Sequence, residues 1–110
     1  MSELQPTWKV RLTADRDIDQ IADHIALDNI DAAIRFVHRV RAAYELLARF
    51  PKGGQLRHTS HPQVGAIRSW PLGGHFANYL ILYGERDYGV EILRVVHGAQ
   101  DVDRLLEEIE

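Results

Sequence analysis

The sequence predicts a single α+β domain in which an N-terminal antiparallel helix hairpin packs against one face of an antiparallel β-sheet. Three observations support this fold class: an alternating segment at the start of the chain, two segments with helical periodicity after it, and three strand-like segments in the second half. Helices and strands segregated along a chain in this way are typical of α+β domains. The expected order is β-α-α-β-β-β with a short helix at the end, in one domain over residues 1–110.

The first strand is predicted from alternation. Over residues 7–12, Trp8, Val10 and Leu12 share one side of an extended chain, which is the period of a half-buried strand. Thr13 has a side chain that commonly caps the N-terminus of a helix. A helix is therefore expected to follow it.

Two helices are predicted next, with a break at Asp28 and Asn29. The first has apolar residues at the i, i+3, i+4 and i+7 spacing of an amphipathic helix, namely Ile18, Ile21, Ala22 and Ile25. The second is expected to run from Ile30 to about Phe50, with Pro51 ending it. Its predicted core positions are Ala33, Phe36, Val37, Val40, Tyr44 and Leu47. Because the connection is short, the helices should form an antiparallel hairpin.

The second half of the chain is predicted to supply the rest of the sheet. Strands are expected at residues 64–70, 76–83 and 90–96, and the Gly-containing segment 84–89 has the composition of a hairpin connection. Residues 51–62, rich in Pro, Gly and His, are expected to form a loop. Residues 101–110 are expected to form a short amphipathic helix.

The composition limits the function. The absence of cysteine excludes disulfides, thiolate zinc sites and cysteine nucleophiles. The net charge of −3 at pH 7 lacks the basic excess of proteins that grip nucleic acid, so direct, specific nucleic-acid binding is not expected. The N-terminus lacks the pattern of a secretory signal, and no apolar stretch reaches the roughly 20 residues that span a bilayer. We expect a cytoplasmic protein with no membrane partner.

The histidines do not form a convincing metal-binding pattern. His58 and His61 are three residues apart, and His75 and His97 follow at a distance. A metal site needs three or four ligands that converge, and no carboxylate or thiolate lies near the first pair in sequence. We therefore expect neither a metal ion nor another cofactor.

Arg68, Arg94 and His97 are the best candidates for a catalytic cluster. Arg68 lies in the first strand after the loop, and the other two lie at the end of the last strand. If these strands are neighbours, the three side chains would resemble a phosphate-binding site. The alternative is that Arg94 forms an ion pair with a carboxylate and that His97 caps the strand end, because no acid–base partner is visible.

The second helix also carries a basic stripe. Arg35, His38, Arg39 and Arg49 lie within roughly 100° of one another around the helix. This stripe is either a solvated helix face or a platform for an acidic segment of a partner protein, which would raise the association rate and the specificity. Trp70, at a strand end beside Pro71, is the candidate aromatic anchor for a partner.

Three stretches resemble the ParE/RelE superfamily of bacterial toxins. VRLTADRDIDQIADHI (residues 10–25) is similar to the first strand and helix of that family. AAIRFVHRVRAAYELLARFPKGG (residues 32–54) is similar to its second helix with a Pro-x-Gly exit, and LILYGERDYGVEILRVVHGAQD (residues 80–101) to its C-terminal hairpin. The resemblance extends from about Trp8 to Leu106, and it implies a RelE/ParE-like fold.

The superfamily has two branches with different activities. RelE-like members are ribosome-dependent mRNA endonucleases, whereas ParE-like members inhibit DNA gyrase. RelE-like toxins have a basic residue near the position of Gln100, where it can stabilise charge on a phosphate. Many ParE-like toxins also have Arg at this position, so this chain departs from both patterns there. The acidic tail of this chain has no Tyr or His to act as acid or base. The resemblance therefore implies the ParE-like branch, acting by protein binding rather than as an enzyme. An endoribonuclease and a partner without toxicity remain alternatives.

The resemblance also implies a partner. A toxin of a plasmid-stabilisation-type module is neutralised by a ParD-like antitoxin in a hetero-oligomeric complex, with an antitoxin segment lying in an apolar groove. One sheet face is expected to be incompletely covered, because the strands offer more apolar residues than one face needs. These residues are Val64, Ile67, Leu80, Leu82, Ile92 and Val95.

Overall fold

The computed structural model describes residues 5–57, 65–98 and 102–109. The strands are β1 (Thr7–Val10), β2 (Gln55–Arg57), β3 (Ile67–Pro71), β4 (Tyr79–Arg86) and β5 (Gly89–His97); the helices are α1 (Leu12–Ala26), α2 (Ile30–Arg49) and α3 (Val102–Glu108). A 3₁₀ turn covers Gly74–Phe76. The α+β class and the predicted order are confirmed. The short strand β2 is an addition, since it lies in the segment that was predicted to be a loop.

The five strands form one sheet in the order β1-β5-β4-β3-β2. The pairs β2–β3, β3–β4 and β4–β5 are antiparallel, as predicted for the sheet. β1 pairs with β5 in parallel. The sheet is therefore mixed, and the prediction of a purely antiparallel sheet was wrong. Parallel neighbours need a long crossover connection, and the helix hairpin with the three strands after it provides one.

The start of α1 differs from the prediction. The strand ends at Val10, and α1 begins at Leu12 with Arg11 in the N-cap position and no side-chain cap. Thr13 is not the cap: its hydroxyl donates to the carbonyl of Leu93, at 3.2 Å. The break between the helices is where the sequence placed it, and the side chain of Asn29 caps α2 by accepting from the backbone N–H of Ala32.

Side chains of α1 continue the pairing of β5 where β1 stops. β1 pairs with β5 only as far as Ile92. Beyond it, the carbonyl of Leu93 accepts from Thr13, and the backbone N–H of Val95 donates to a carboxylate oxygen of Asp17 at 3.0 Å. We call this contact the α1–β5 seam. It satisfies backbone groups that would otherwise be orphaned at a sheet edge.

A β-bulge in β5 accompanies the seam. Leu82 pairs with Arg94 and Tyr83 pairs with Ile92, so Leu93 is the extra residue opposite β4. Ile92 faces the helix hairpin and Leu93 faces the other side, as alternation requires, but the bulge shifts the alternation so that Val95 faces the hairpin and Val96 faces away from it. Bulges commonly redirect side chains near functional sites and sheet edges.

Both faces of the sheet are covered. The helix hairpin packs on one face against residues that include Ile81, Tyr83 and Ile92. On the other face Leu105 and Leu106 of α3, together with Ile109 just after it, pack with Ile67, Leu82, Leu93 and Val96. The expectation of an incompletely covered sheet face was therefore wrong, because the tail helix fills it; Val64 lies outside the described residues. Within the described ranges, no helix is both long enough and apolar enough to cross a membrane.

Candidate functional site

An apolar groove runs between α1 and α2 on the surface that faces away from the sheet. Three aliphatic side chains of α2 project into it: Ile30, Ile34 and Val37 are 68%, 50% and 41% exposed. The groove has a volume of about 300 Å³, and its other lining residues are Ala22, Asp23, Ala26, Ala33 and His38. Val37 was predicted to be a core residue, but it lies at this opening.

The groove exists because α1 offers only small side chains where the two helices face each other. Ala22 and Ala26 are four residues apart and thus stand one above the other on α1. Neither is long enough to cover the aliphatic side chains of Ile34 and Val37. Contiguous exposed apolar surface of this kind marks an interaction site in soluble domains.

A second exposed surface lies on the opposite side of α2, and we call it the basic flank. At about 100° per residue, Arg35, Arg39 and Leu46 lie within about 40° of one another, centred about 150° around the helix from the groove residues. Phe50, at the C-terminal end of α2, is 61% exposed. Trp70 of β3 is half-buried and lies near Phe50, since both border Gly53.

The side chains of Arg39 and Arg49 contact different parts of the protein and do not share one surface. The Nε of Arg39 donates to the carbonyl of Leu72 at 2.9 Å, and its guanidinium lies over Gly73. Arg49 lines a separate cavity at the other end of the sheet, next to Arg86. The four basic residues of the predicted stripe are all exposed on α2, but they face different surroundings.

Arg94 is occupied by an ion pair. Its Nε and Nη2 donate to the two carboxylate oxygens of Asp17 at 2.7 and 3.0 Å. Only 25% of the Arg94 side chain and 12% of the Asp17 side chain are exposed. The hydrogen bond to Asp17 raises the pKa of Arg94, outweighing the opposing effect of burial. Arg94 therefore forms the ion pair that the sequence analysis gave as its alternative role, and Asp17 is the carboxylate partner.

Arg68 is not part of a cluster with Arg94 and His97. Strand β4 lies between β3 and β5, so the strands are not neighbours and the condition for a three-residue cluster is not met. The Nη1 of Arg68 donates to the carbonyl of Gly54 at 2.9 Å. Beside it, the hydroxyl of Tyr83 accepts from the Gly54 N–H. Arg68 therefore contacts the loop that follows α2.

Arg94 and His97 do share a polar cavity. It has a volume of about 460 Å³ and lies between α1 and the end of β5; its other lining residues are Asp17, Gln20, Ile21, His24, Tyr79 and Val95. The rings of Tyr79 and His97 meet edge to face, with centroids 5.1 Å apart. The cavity contains titratable side chains, but its one arginine is neutralised by Asp17.

Several candidate residues lie outside the described ranges, namely His58, His61 and Gln100. Among the residues that the structure describes, no three His, Asp or Glu side chains converge as metal ligands would. His75 belongs to the 3₁₀ turn.

Sequence reasoning missed the groove, although the sequence contains a signal for it. Small residues recur at i and i+4 in the first helix, and Ile30, Ile34 and Val37 recur at i, i+4 and i+7 in the second. Each pattern is typical of a buried helix face. Only the relative placement of the two helices leaves the second pattern exposed.

Comparisons with known proteins agree with this architecture. The model of a family described as the ParE toxin of the type II toxin–antitoxin system parDE matches residues 9–102. The candidate toxin Y4kP of Sinorhizobium fredii is 33% identical over 107 residues, which cover 96% of this chain and all of that protein. A solved structure of a chromosomal ParDE toxin–antitoxin system from P. aeruginosa matches with a TM-score of 0.65 at 20% identity, covering 86% of this chain and 98% of that one.

Proposed function

This chain belongs to the ParE toxin family of type II toxin–antitoxin systems, and we propose that a ParD-like antitoxin neutralises it by inserting an amphipathic helix into the α1–α2 groove. The exposed row of Ile30, Ile34 and Val37 is the observation that supports this proposal. A helix laid in an apolar groove is recognised by anchors at i, i+3, i+4 and i+7. Two of the residues that line the groove are alanines of α1, which leave room for such anchors.

The proposal replaces the basic stripe with the groove as the main antitoxin surface. Burying three aliphatic side chains stabilises a complex by roughly 1.5–3 kcal/mol for each side chain that becomes fully buried. Exposed ion pairs contribute typically 0–1 kcal/mol each. The groove can therefore supply more of the affinity than Arg35, Arg39 and Arg49 can, although these cations would still affect the association rate.

Filling the groove from within tests this proposal. We expect Ala26→Trp to place an indole where the antitoxin helix would lie, and to lower the affinity for the purified cognate antitoxin by at least about tenfold, because one blocked hot-spot pocket commonly costs more than 1.4 kcal/mol. Isothermal titration calorimetry measures the change. Ala42→Trp, on an exposed part of α2 away from the groove, is the matched control. Equal affinity for both variants would contradict the proposal.

The free toxin is proposed to act in the cytoplasm on DNA gyrase, as the ParE-like branch does, and to serve a plasmid-stabilisation-type module. The separation of Arg68 from Arg94 and the neutralisation of Arg94 support protein binding over RNA cleavage. Pulse labelling after induction of the toxin alone tests the target. We expect DNA synthesis to stop before protein synthesis, and excess purified toxin to inhibit gyrase supercoiling. Unaffected supercoiling would contradict gyrase as the target.

An mRNA endonuclease is the second candidate function, and the polar cavity shared by Arg94, His97 and Tyr79 is the observation that favours it. Under this alternative His97→Ala would abolish toxicity without lowering the affinity for antitoxin. Primer-extension mapping would then show mRNA cuts that depend on the wild-type toxin. The absence of such cuts would leave the gyrase proposal as the better one.

A further inference from the structure

The basic flank has a chemistry that the groove does not explain. Around α2, the arc that contains Arg35, Arg39 and Leu46 includes no Asp or Glu. Among the described residues, neither of these two arginines has a carboxylate partner. Phe50 adds an exposed aromatic ring at the end of the same arc. The flank thus combines two arginines that form no ion pair within the described residues with apolar side chains, and the nearest acid on α2 is Asp31, one turn before Arg35.

This combination fits a protein surface better than a nucleic acid. Arginine and aromatic residues are enriched at the centres of protein interfaces. Nucleic-acid binding takes most of its affinity from many phosphate contacts, and the chain as a whole has a net charge of −3. Since the flank has Arg35 and Arg39 toward the N-terminal half of α2 and Leu46, Phe50 and Trp70 toward its C-terminal end, the complementary surface is acidic at one end and apolar at the other.

A single partner segment cannot fill both surfaces. An α-helix with its side chains is only about 10 Å wide, and the groove and the basic flank face opposite directions across α2. The solvent-facing ridge between them is polar and includes His38, Glu45 and Arg49, all of which are exposed. The two surfaces also differ in chemistry, since the groove is aliphatic and Asp23 lies at its border.

We propose that the basic flank is the surface through which the toxin binds a patch of its cellular target that combines acidic and apolar side chains, leaving the groove to the antitoxin. This inference rests on the proposed function, under which the toxin contacts two proteins, an antitoxin and a target. The two surfaces then divide toxicity from neutralisation, so that each can be removed without the other.

A separation-of-function experiment tests the assignment with the full-length chain. The flank variant is Arg35→Glu with Phe50→Ser, and its matched control is Arg16→Glu with Leu12→Ser on exposed positions of α1. The two replaced apolar residues are equally accessible, since Phe50 is 61% and Leu12 is 63% exposed. Each variant is induced alone to measure growth arrest, and each is purified to measure its affinity for antitoxin and for gyrase.

We expect the flank variant to lose growth arrest and to bind gyrase at least about tenfold more weakly, because it loses an aromatic anchor and reverses an interface charge. Its antitoxin affinity should stay within about twofold of wild type, because distant sites act independently. Retained antitoxin binding would also show that the variant is folded. The α1 control should behave as wild type. The groove variant Ile34→Asp should show the reverse pattern: it should stay toxic but escape neutralisation.

Three outcomes would overturn the assignment. A flank variant that arrests growth as the wild type does would show that the target binds elsewhere. A flank variant that loses antitoxin affinity would assign the flank to the antitoxin, and one whose only loss is binding of a labelled single-stranded RNA would assign it to nucleic acid. A wild-type chain that neither arrests growth nor binds gyrase would instead contradict the proposed function, which distinguishes that failure from failure of the flank assignment.

Discussion

One side of α1 faces β5 and the other faces α2. Polar groups at the first contact are hydrogen-bonded, whereas apolar side chains at the second contact remain exposed to water. At the α1–β5 seam, the Asp17 carboxylate binds the Arg94 guanidinium and the Val95 N–H, and Thr13 binds the Leu93 carbonyl. At the α1–α2 groove, aliphatic side chains stay in contact with water. The difference indicates that the seam stabilises the fold, whereas the groove leaves apolar surface in water, as the proposed antitoxin site would.

The largest expected effect is at the seam. Asp17→Ala leaves a mostly buried guanidinium and a backbone N–H without their acceptor, and we expect it to lower the free energy of unfolding by about 3 kcal/mol. Asp17→Asn keeps an acceptor for Val95 and should cost less. Urea denaturation measures both. The matched control is Arg104→Ala, which breaks an exposed ion pair with Glu108 and should change stability by less than about 0.5 kcal/mol. If Asp17→Ala lowered the free energy of unfolding only slightly, the seam would not be the stabilising contact.

A substitution in the groove should lower the affinity for antitoxin while hardly changing the stability of the fold. We expect Ile34→Asp to change the free energy of unfolding by less than about 1 kcal/mol, since the side chain is half exposed and aspartate has only a modestly lower helix propensity. Its antitoxin affinity should fall by at least about tenfold. Leu56→Asp is the control, because Leu56 of β2 is 51% exposed, against 50% for Ile34. Equal losses of affinity in the two variants would show that the groove is not special.

A second ionic contact sharpens the comparison through its pH dependence. Glu91 accepts from Arg11 at 3.0 Å and from Arg86 at 2.8 Å, joining the β1–α1 junction to the β4–β5 hairpin. Burial alone would raise the pKa of Glu91, but the hydrogen bonds from the two arginines outweigh it and lower that pKa below its ordinary value of 4.5. A carboxylate with a lowered folded-state pKa stabilises the protein above its unfolded-state pKa, and this stabilisation is lost as the pH falls through the folded-state value.

We therefore expect Glu91→Gln to cost about 1 kcal/mol at pH 7. The difference between wild type and variant should shrink as the pH falls through the lowered folded-state pKa of Glu91, where the wild-type carboxyl also becomes protonated. Thermal unfolding across this pH range measures it. A difference that does not change with pH would mean that packing, and not the charge on Glu91, accounts for the loss.

The smallest expected effect concerns Tyr44 of α2. Its hydroxyl is buried and has no hydrogen-bond partner among the described residues. Burial, together with the charges of Asp15 and Asp17, raises the pKa of Tyr44 well above its ordinary range, so the phenol stays neutral. We expect Tyr44→Phe to leave stability unchanged or to increase it by up to about 1 kcal/mol. A loss of more than about 1 kcal/mol in urea denaturation would reveal a bound water or another partner for the hydroxyl.

Features set by neighbouring residues could be predicted from the sequence, whereas features set by residues distant in sequence could not. Periodicity and the break at Asn29 located both helices, because these signals are local. Pairing is not local: nothing near Trp8 indicates that its strand lies parallel to a segment some 80 residues later. β2 was missed because three residues beside a Pro/Gly-rich stretch are too few to show alternation.

The candidate site was only partly predictable for the same reason. The alternative of an ion pair for Arg94 was foreseen, but its partner Asp17 could not be chosen among the many acids of the first helix. Val37 fitted the apolar periodicity of the second helix, which cannot distinguish a core position from an open groove. The separation of Arg68 from Arg94 depends on strand order, which no motif in the sequence encodes.

The parallel pairing of β1 with β5 has a consequence for the order of folding. Residues made first, Thr7–Val10, find their neighbours only when Gly89–Ile92 have been made, so the chain must close a loop of about 80 residues before the sheet is complete. Contacts so distant in sequence slow folding. A nascent or truncated chain that lacks β5 leaves β1 and Asp17 without these partners, so neither the complete sheet nor the α1–β5 seam can form. Toxicity would then begin only after nearly the whole chain has been synthesised.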